Sequence, residues 1–185
     1  MFFIFDTETT GLPKNNWDFS DVYMTQIGYI ITDGKRILHK DEYYIKGNYE
    51  IPQKIIKLNG ITKEMTDKEG KSFQEVFNII DDILSKYKCK YIIAHNVKFD
   101  TKMFSQEYKR LCRKKWKGNI FKLNPIDSKN IFENHFKKNN IYIKNNRLQT
   151  IITHFELDYE QSHTALDDCR MLYKCLSKIN GFKNF

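Results

Sequence analysis

The sequence predicts an α/β fold, a mixed central sheet with an N-terminal antiparallel hairpin and flanking helices. Three observations predict it. The chain opens with Phe2 to Phe5, apolar at every position and closed by Asp6; such a run reads as a strand covered on both faces. Two segments rich in β-branched and aromatic residues follow, 22–32 (VYMTQIGYIIT) and 36–46 (RILHKDEYYIK), with the turn signal Asp33-Gly34 between them. Beyond residue 72 the apolar period changes, and helical patterns alternate with short apolar runs. An early hairpin followed by such alternation makes an α/β sheet with a mixed edge.

The elements follow in order. Phe73, Val76, Phe77, Ile80, Leu84 and Tyr87 recur at steps of three and four, an amphipathic helix. Tyr91 to Ala94 is a short buried strand. Asn96 is placed to cap a helix running to about Cys112. On that helix Asp100 shares a face with Phe104, Tyr108 and Leu111, and a carboxylate in line with a core stripe needs a reason. A strand is expected near 120–126, with helices near 128–136 and 147–155. The last helix, about 162–179, carries the stripe Ala165, Cys169, Leu172 and Leu176, with Asp168 at its margin. There is no internal repeat and no Pro-, Gly- or Ser-rich linker, so one domain is expected across 1–185. In such sheets, sites gather where strands end and helices begin. Asp6 and Glu8, Asp100 and Asp168 all occupy such places.

Composition narrows the partners. The 185 residues are enough for one real core, and 15% of them are aromatic. The formal net charge is +8 and the pI about 9.2. That balance suits a polyanion, with nucleic acid first; a solvated lysine face is the plainer alternative. The four cysteines form no C-x-x-C, and Cys169 and Cys175 point apart on one helix, so reduced thiols are expected. The N-terminus has no basic n-region and no long apolar stretch, and no run approaches membrane-spanning length. An intracellular protein without membrane attachment is expected, cytoplasmic with a nuclear location left open.

Three short segments carry the chemistry. In DTETTG (6–11), Asp6 and Glu8 are two apart in extended chain, so both side chains leave one face. Two carboxylates aimed one way repel each other unless a cation lies between them. Oxygen donors without a Cys or His cluster favour Mg²⁺ or Mn²⁺ over zinc. In AHNVKFD (94–100), the inward phase of Asp100 argues against an exposed first-turn acid. In HTALDD (163–168), His163 precedes Asp168 by five residues. In one regular helix they would diverge by roughly 140°, so His163 can act beside Asp168 only from the frayed helix start or before it.

In order and spacing these three segments resemble the motifs of the DEDDh-type 3′→5′ exonucleases. That family includes the proofreading subunits of bacterial replicative polymerases, ribonuclease T and the oligoribonucleases. The resemblance extends between motifs. Gln26-Ile27-Gly28 sits where the family's second strand carries a similar Ile-Gly. LNGITKEM (58–65) looks like the family's "hGIT" segment, with Asn59 in place of the usual His. NNRLQTIITHFEL (145–157) is similar to the helix before the third motif. His163 sets the chain apart from the branch with Tyr at that place.

The resemblance implies a ribonuclease-H-like exonuclease fold and a role for each motif residue. Asp6, Glu8 and Asp168 would ligate two Mg²⁺ or Mn²⁺ ions, Asp100 would hold the second ion through water, and His163 would be the general base. The chemistry agrees: two cations roughly 4 Å apart clamp the attacking and leaving oxygens of a phosphodiester, and His has the unperturbed pKa for a base near neutrality. Thr9 and Leu12 would touch the terminal sugar and base. Leu58 and Phe99 resemble positions that pack on terminal bases, although Phe99 fits a core position equally well. His95 either lines the site or braces it. Asp127 reads as support and Asp167 as a helix-start charge. The run RKKWK (113–117) reads as a solvated basic loop, with a phosphate-tracking role as the alternative.

The expected reaction is hydrolysis of single-stranded DNA or RNA from the 3′ end to nucleoside 5′-monophosphates, in repair or proofreading. The alternatives are an RNA-directed exoribonuclease, a polymerase's proofreading subunit, and a binding module with a dead site. Intact carboxylates and His163 weigh against the last. A stand-alone nuclease is preferred, because no long tether follows the last helix; a polymerase partner or a homodimer stays open.

Overall fold

A computed structural model describes residues 1–14, 17–112, 117–158 and 164–183. A six-stranded mixed sheet separates two layers of helices. Its strands are β1 (Phe2–Thr9), β2 (Met24–Thr32), β3 (Ile37–Lys46), β4 (Lys71–Ser72), β5 (Tyr91–Ala94) and β6 (Asn124–Asp127), in the order β4-β3-β2-β1-β5-β6. β1, β2 and β3 form an antiparallel meander. β5 adds to β1, and β6 to β5, in parallel. The short β4 runs parallel to β3.

Local chemistry explains these elements. All nine residues of β2 are buried, as a strand covered on both faces requires. At the hairpin turn the Asp33 carboxylate accepts from the amides of Lys35 and Arg36, and Gly34 takes φ +88°, a conformation glycine adopts without strain. The helices are α1 (Gln53–Asn59), α2 (Lys63–Glu69), α3 (Phe73–Lys86), α4 (Val97–Leu111), α5 (Ser128–Lys138), α6 (Leu148–His154) and α7 (Ala165–Lys178). α3 starts at a reciprocal capping box between Ser72 and Glu75.

β1 alternates between two cores. Phe3 and Phe5 join Tyr29 and the apolar faces of α3 and α4. Phe2 and Ile4 join Ile30, Ile93 and the apolar faces of α5, α6 and α7. A smaller cluster, Tyr49, Ile51 and Ile61, lies beside α1 and α2.

Several expectations shift. β1 runs on through Asp6 and Glu8 to Thr9, so both acids belong to a strand. Leu111, expected in the core, is 40% exposed; the inward face of α4 is completed by Met103 and Glu107. Glu107, itself buried, accepts from the Met24 amide and pairs with the outer Arg110, a contact that apolar periodicity does not register. Asn96 does not cap α4 through its side chain. It adopts φ +92°, and its amide donates to Asp127. The strand expected near 120–126 is a 3-10 turn at Asn119–Lys122 followed by β6. α1 and α2 have no counterpart in the apolar pattern, because each has one buried residue, Asn59 and Thr66, both polar.

Candidate active site

Three segments meet at the C-terminal end of β1. Asp6 and Glu8 point to the side of the sheet that α7 covers, in phase with Ile4. Asp168 stands in the first turn of α7. One carboxylate oxygen from each of Asp6, Glu8 and Asp168 lies within 4.8 Å of the other two. Asp100 comes from the opposite layer, in the first turn of α4, and is 3% exposed. Its Oδ1 accepts from the Thr7 amide at 3.1 Å and the Thr7 hydroxyl at 2.7 Å. Thr7 lies between Asp6 and Glu8 and faces the other way, so it pins Asp100 beneath the other three.

Electrostatics show how close the four are. Burial, then Asp100, Asp168 and Glu8, push the Asp6 carboxyl well above the ordinary carboxylate range. Burial raises Asp100 to about 7, against the lowering effect of the two Thr7 hydrogen bonds, and Glu8 adds to the rise. Negative charge concentrated and desolvated in this way is stable only when protonated or beside a cation. The donor set is oxygen alone, which fits hard divalent cations.

The placement of Asp168 depends on how α7 meets the sheet. Thr164 caps the helix by accepting from the Asp167 amide. Gln26, buried in β2, accepts from the Ala165 amide at 3.0 Å. Gly28 pairs with Asp6 across the β1–β2 ladder, and a Cβ there would sit 2.2 Å from the Leu166 nitrogen. The helix backbone thus rests on the glycine, and Cys169 Sγ donates to its carbonyl at 3.3 Å.

The profile of the Exonuclease family, RNase T type, matches residues 3–176. The chain belongs to this exonuclease family. Among its relatives, the PolC-type DNA polymerase III of Bacillus subtilis (strain 168) is 28% identical over 179 residues, 95% of this exonuclease chain and 11% of the relative. The chain thus spans about a ninth of that relative's length. The DNA polymerase III subunit epsilon of Treponema pallidum (strain Nichols) is 26% identical over 174 residues, 92% of this chain and 72% of the relative. Two solved structures share the fold. The nuclease domain of 3′hExo, a DEDDh family member bound to rAMP, superposes with TM-score 0.76 at 16% identity, over 96% of this chain and 90% of that one. E. coli Exonuclease I in complex with a dT13 oligonucleotide superposes with TM-score 0.76 at 15% identity, over 96% and 40%.

The other expected site residues of this exonuclease-family chain fall into distinct settings. Leu12 and Leu58 are large apolar side chains left 80% and 62% exposed. Leu58 adjoins Asn59, whose side-chain amide donates to Glu8 Oε2 at 2.8 Å. Leu12 helps line a cleft of about 160 Å³ between Thr10–Leu12 and Pro52–Lys54. Thr9 is buried, its hydroxyl donating to the Gly11 carbonyl. Phe99 is half-buried and packs on Phe19 at a ring distance of 5.3 Å.

His95 joins separate parts of the chain. Its Nδ1 is 2.9 Å from the Ser128 hydroxyl and its Nε2 2.7 Å from the Asn146 carbonyl. Nε2 must donate to that carbonyl, so Nδ1 accepts from Ser128. Burial, reinforced by Lys129, lowers its pKa to about 4 against the opposing pull of the Asn146 bond and Asp127. Asp127 caps α5, and Asp167 stands in the first turn of α7, where it pairs with Arg170. His163 lies outside the described residues, as do Arg113 to Trp116 of the basic run.

Sequence reasoning assigned no task to Thr7 or Gln26. A polar residue facing away from a carboxylate pair, and an amide in a strand buried at every position, were the available signals.

Proposed function

We propose that this chain is a metal-dependent 3′→5′ exonuclease that hydrolyses single-stranded DNA from its 3′ end to nucleoside 5′-monophosphates. The observation that carries the reading is the convergence of Asp6, Glu8 and Asp168 oxygens within 4.8 Å inside a match to the Exonuclease family. The donors fit two Mg²⁺ or Mn²⁺ ions: Asp6, Glu8 and Asp168 would hold them directly, and Asp100 from beneath through water. When bound, such ions lower the pKa of a water and neutralise the attacking and leaving oxygens of the phosphodiester.

The chain's own residues do the rest. Thr7 holds Asp100 in place. The exposed Leu12 and Leu58 offer apolar contacts to the terminal base, Thr9 lies close to the terminal sugar, and Phe99 flanks the base. His163 removes the proton from the attacking water. DNA is preferred because the PolC-type and epsilon relatives are named as DNA polymerase III; the same names make a polymerase the proposed partner class.

The test is incubation with 5′-labelled DNA and RNA oligonucleotides in Mg²⁺, in Mn²⁺ and after exhaustive chelation. A ladder of shortening DNA products that vanishes on chelation is expected. Release of a labelled mononucleotide from the 5′ end refutes the polarity, and activity that survives chelation refutes the metal mechanism. Faster degradation of RNA reverses the substrate assignment.

A further inference from the structure

We infer that Asn59 is a positioning residue for Glu8, tying that carboxylate to the helix that presents Leu58. The inference rests on the proposed metal-dependent nuclease reading. Three observations carry it. Asn59 is 9% exposed and is the one buried residue of α1. Its side chain is used at both ends: Nδ2 donates to Glu8 Oε2 at 2.8 Å, and Oδ1 accepts from the Ile61 amide at 3.1 Å. An amide N–H only donates and an ionised carboxylate only accepts, so the two contacts fix which way the amide points. Finally, Asn59 ends α1, and Gly60 follows in the left-handed conformation, φ +74°. The Asn59 oxygen closes this turn onto Ile61, which sits in the cluster of Tyr49, Ile51 and Ile61.

The arrangement does two things. A neutral donor on a carboxylate oxygen favours the charged form and fixes the plane of the group. Partners of this kind orient a metal ligand, and losing one typically costs about 10–100-fold in metal affinity or activity. The same bond links α1 to β1 across 51 residues of sequence, so the exposed Leu58 and the carboxylate Glu8 keep one spacing. A His could offer a ring N–H at this place, but its donor capacity would depend on its tautomer; the Asn donor does not.

The test uses Mn²⁺ calorimetry, single-turnover degradation of a 5′-labelled single strand, and melting in chelator. Asn59→Ala should weaken Mn²⁺ binding or slow turnover by about 10-fold or more. In a Glu8→Ala background it should have no further effect on Mn²⁺ affinity. Asn59→Asp keeps the acceptor for the Ile61 amide and confronts Glu8 with a like charge. It should therefore slow turnover, stay folded, and melt below the parent in chelator, since the added charge is unrelieved without metal. It also carries the test if Asn59→Ala does not fold. Parent-like turnover in both variants overturns the inference, as does an equal Mn²⁺ affinity loss with and without Glu8. A parent protein that neither binds Mn²⁺ nor degrades DNA overturns the underlying reading and this inference with it, and that failure shows in the parent, not in the variant.

Discussion

The Asp6 carboxyl is pushed up by burial and by three neighbouring carboxylates. Asp6→Ala should therefore abolish turnover yet melt at or above the parent temperature without metal, since repulsion is relieved. The Mn²⁺-induced rise in melting temperature should disappear. An undiminished rise would show that Asp6 is no ligand. His163→Ala should keep Mn²⁺ binding and lose roughly 10²–10⁴-fold in turnover, the usual contribution of a general base; single-turnover rates over pH 6–9 should lose their rising limb. Equal loss of metal affinity in His163→Ala and Asp168→Ala would make His163 a ligand or a clamp instead.

The half-buried His95 and the buried Asp100 give opposite pH responses. His95 has a depressed pKa of about 4, so between pH 4 and 6.5 the unfolded chain binds more protons than the folded one. Its contribution is present above about pH 6.5 and is lost as pH falls towards 4, by about 3 kcal/mol at most. Asp100 is raised to about 7, so the metal-free fold binds the extra proton, and stability is lost as pH rises from about 4 through 7. The two oppose each other in the shared window, and each shows as a difference between parent and variant. Denaturant midpoints across pH 4–8 for His95→Gln and Asp100→Asn should lose the acid-side and alkaline-side change respectively. Slopes parallel to the parent would mean that the groups titrate normally.

Among the packed elements, the contact of α7 with β2 decides the site. Gly28→Ala forces a Cβ into the backbone at Ala165 and Leu166, where nothing flexible can yield. Overpacking of this kind costs about 1–3 kcal/mol. Because Gly28 is the ladder partner of Asp6, moving α7 also carries Asp168 away from Asp6 and Glu8. Gly28→Ala should lower the melting temperature and weaken Mn²⁺ binding together. Normal Mn²⁺ affinity in a destabilised Gly28→Ala would show that α7 tilts about Asp168 without moving it.

Across the molecule, the net charge of +8 makes binding a question of salt. Lys102, Lys109, Lys117 and Lys122 surround a cleft of about 680 Å³ with no carboxylate among the described residues that line it. Binding of a single strand should weaken linearly in log salt, through counterion release. Single-stranded 3′ ends should be degraded faster than blunt duplex ends, because unpairing a terminal base pair costs free energy that a single strand does not spend. Equal rates on the two at several salt concentrations would contradict this. Among the described residues no helix is long and apolar enough to cross a membrane.

The acids of the site were legible because each breaks a pattern. Asp6 and Glu8 break the apolar run of β1, and Asp100 and Asp168 sit on core-facing helix stripes. Periodicity likewise located β1, the hairpin, α3, α4 and α7, since each buries an apolar face. α1 and α2 bury almost nothing apolar and escaped that signal. Only the tertiary structure decided which neighbours the acids would have. Thr7 under Asp100, Gln26 and Gly28 under α7, and Asn59 on Glu8 are contacts between residues 51 to 141 positions apart. A local pattern records which face a side chain takes. It does not record which distant donor meets it there, because chain separation sets no distance once the sheet has closed.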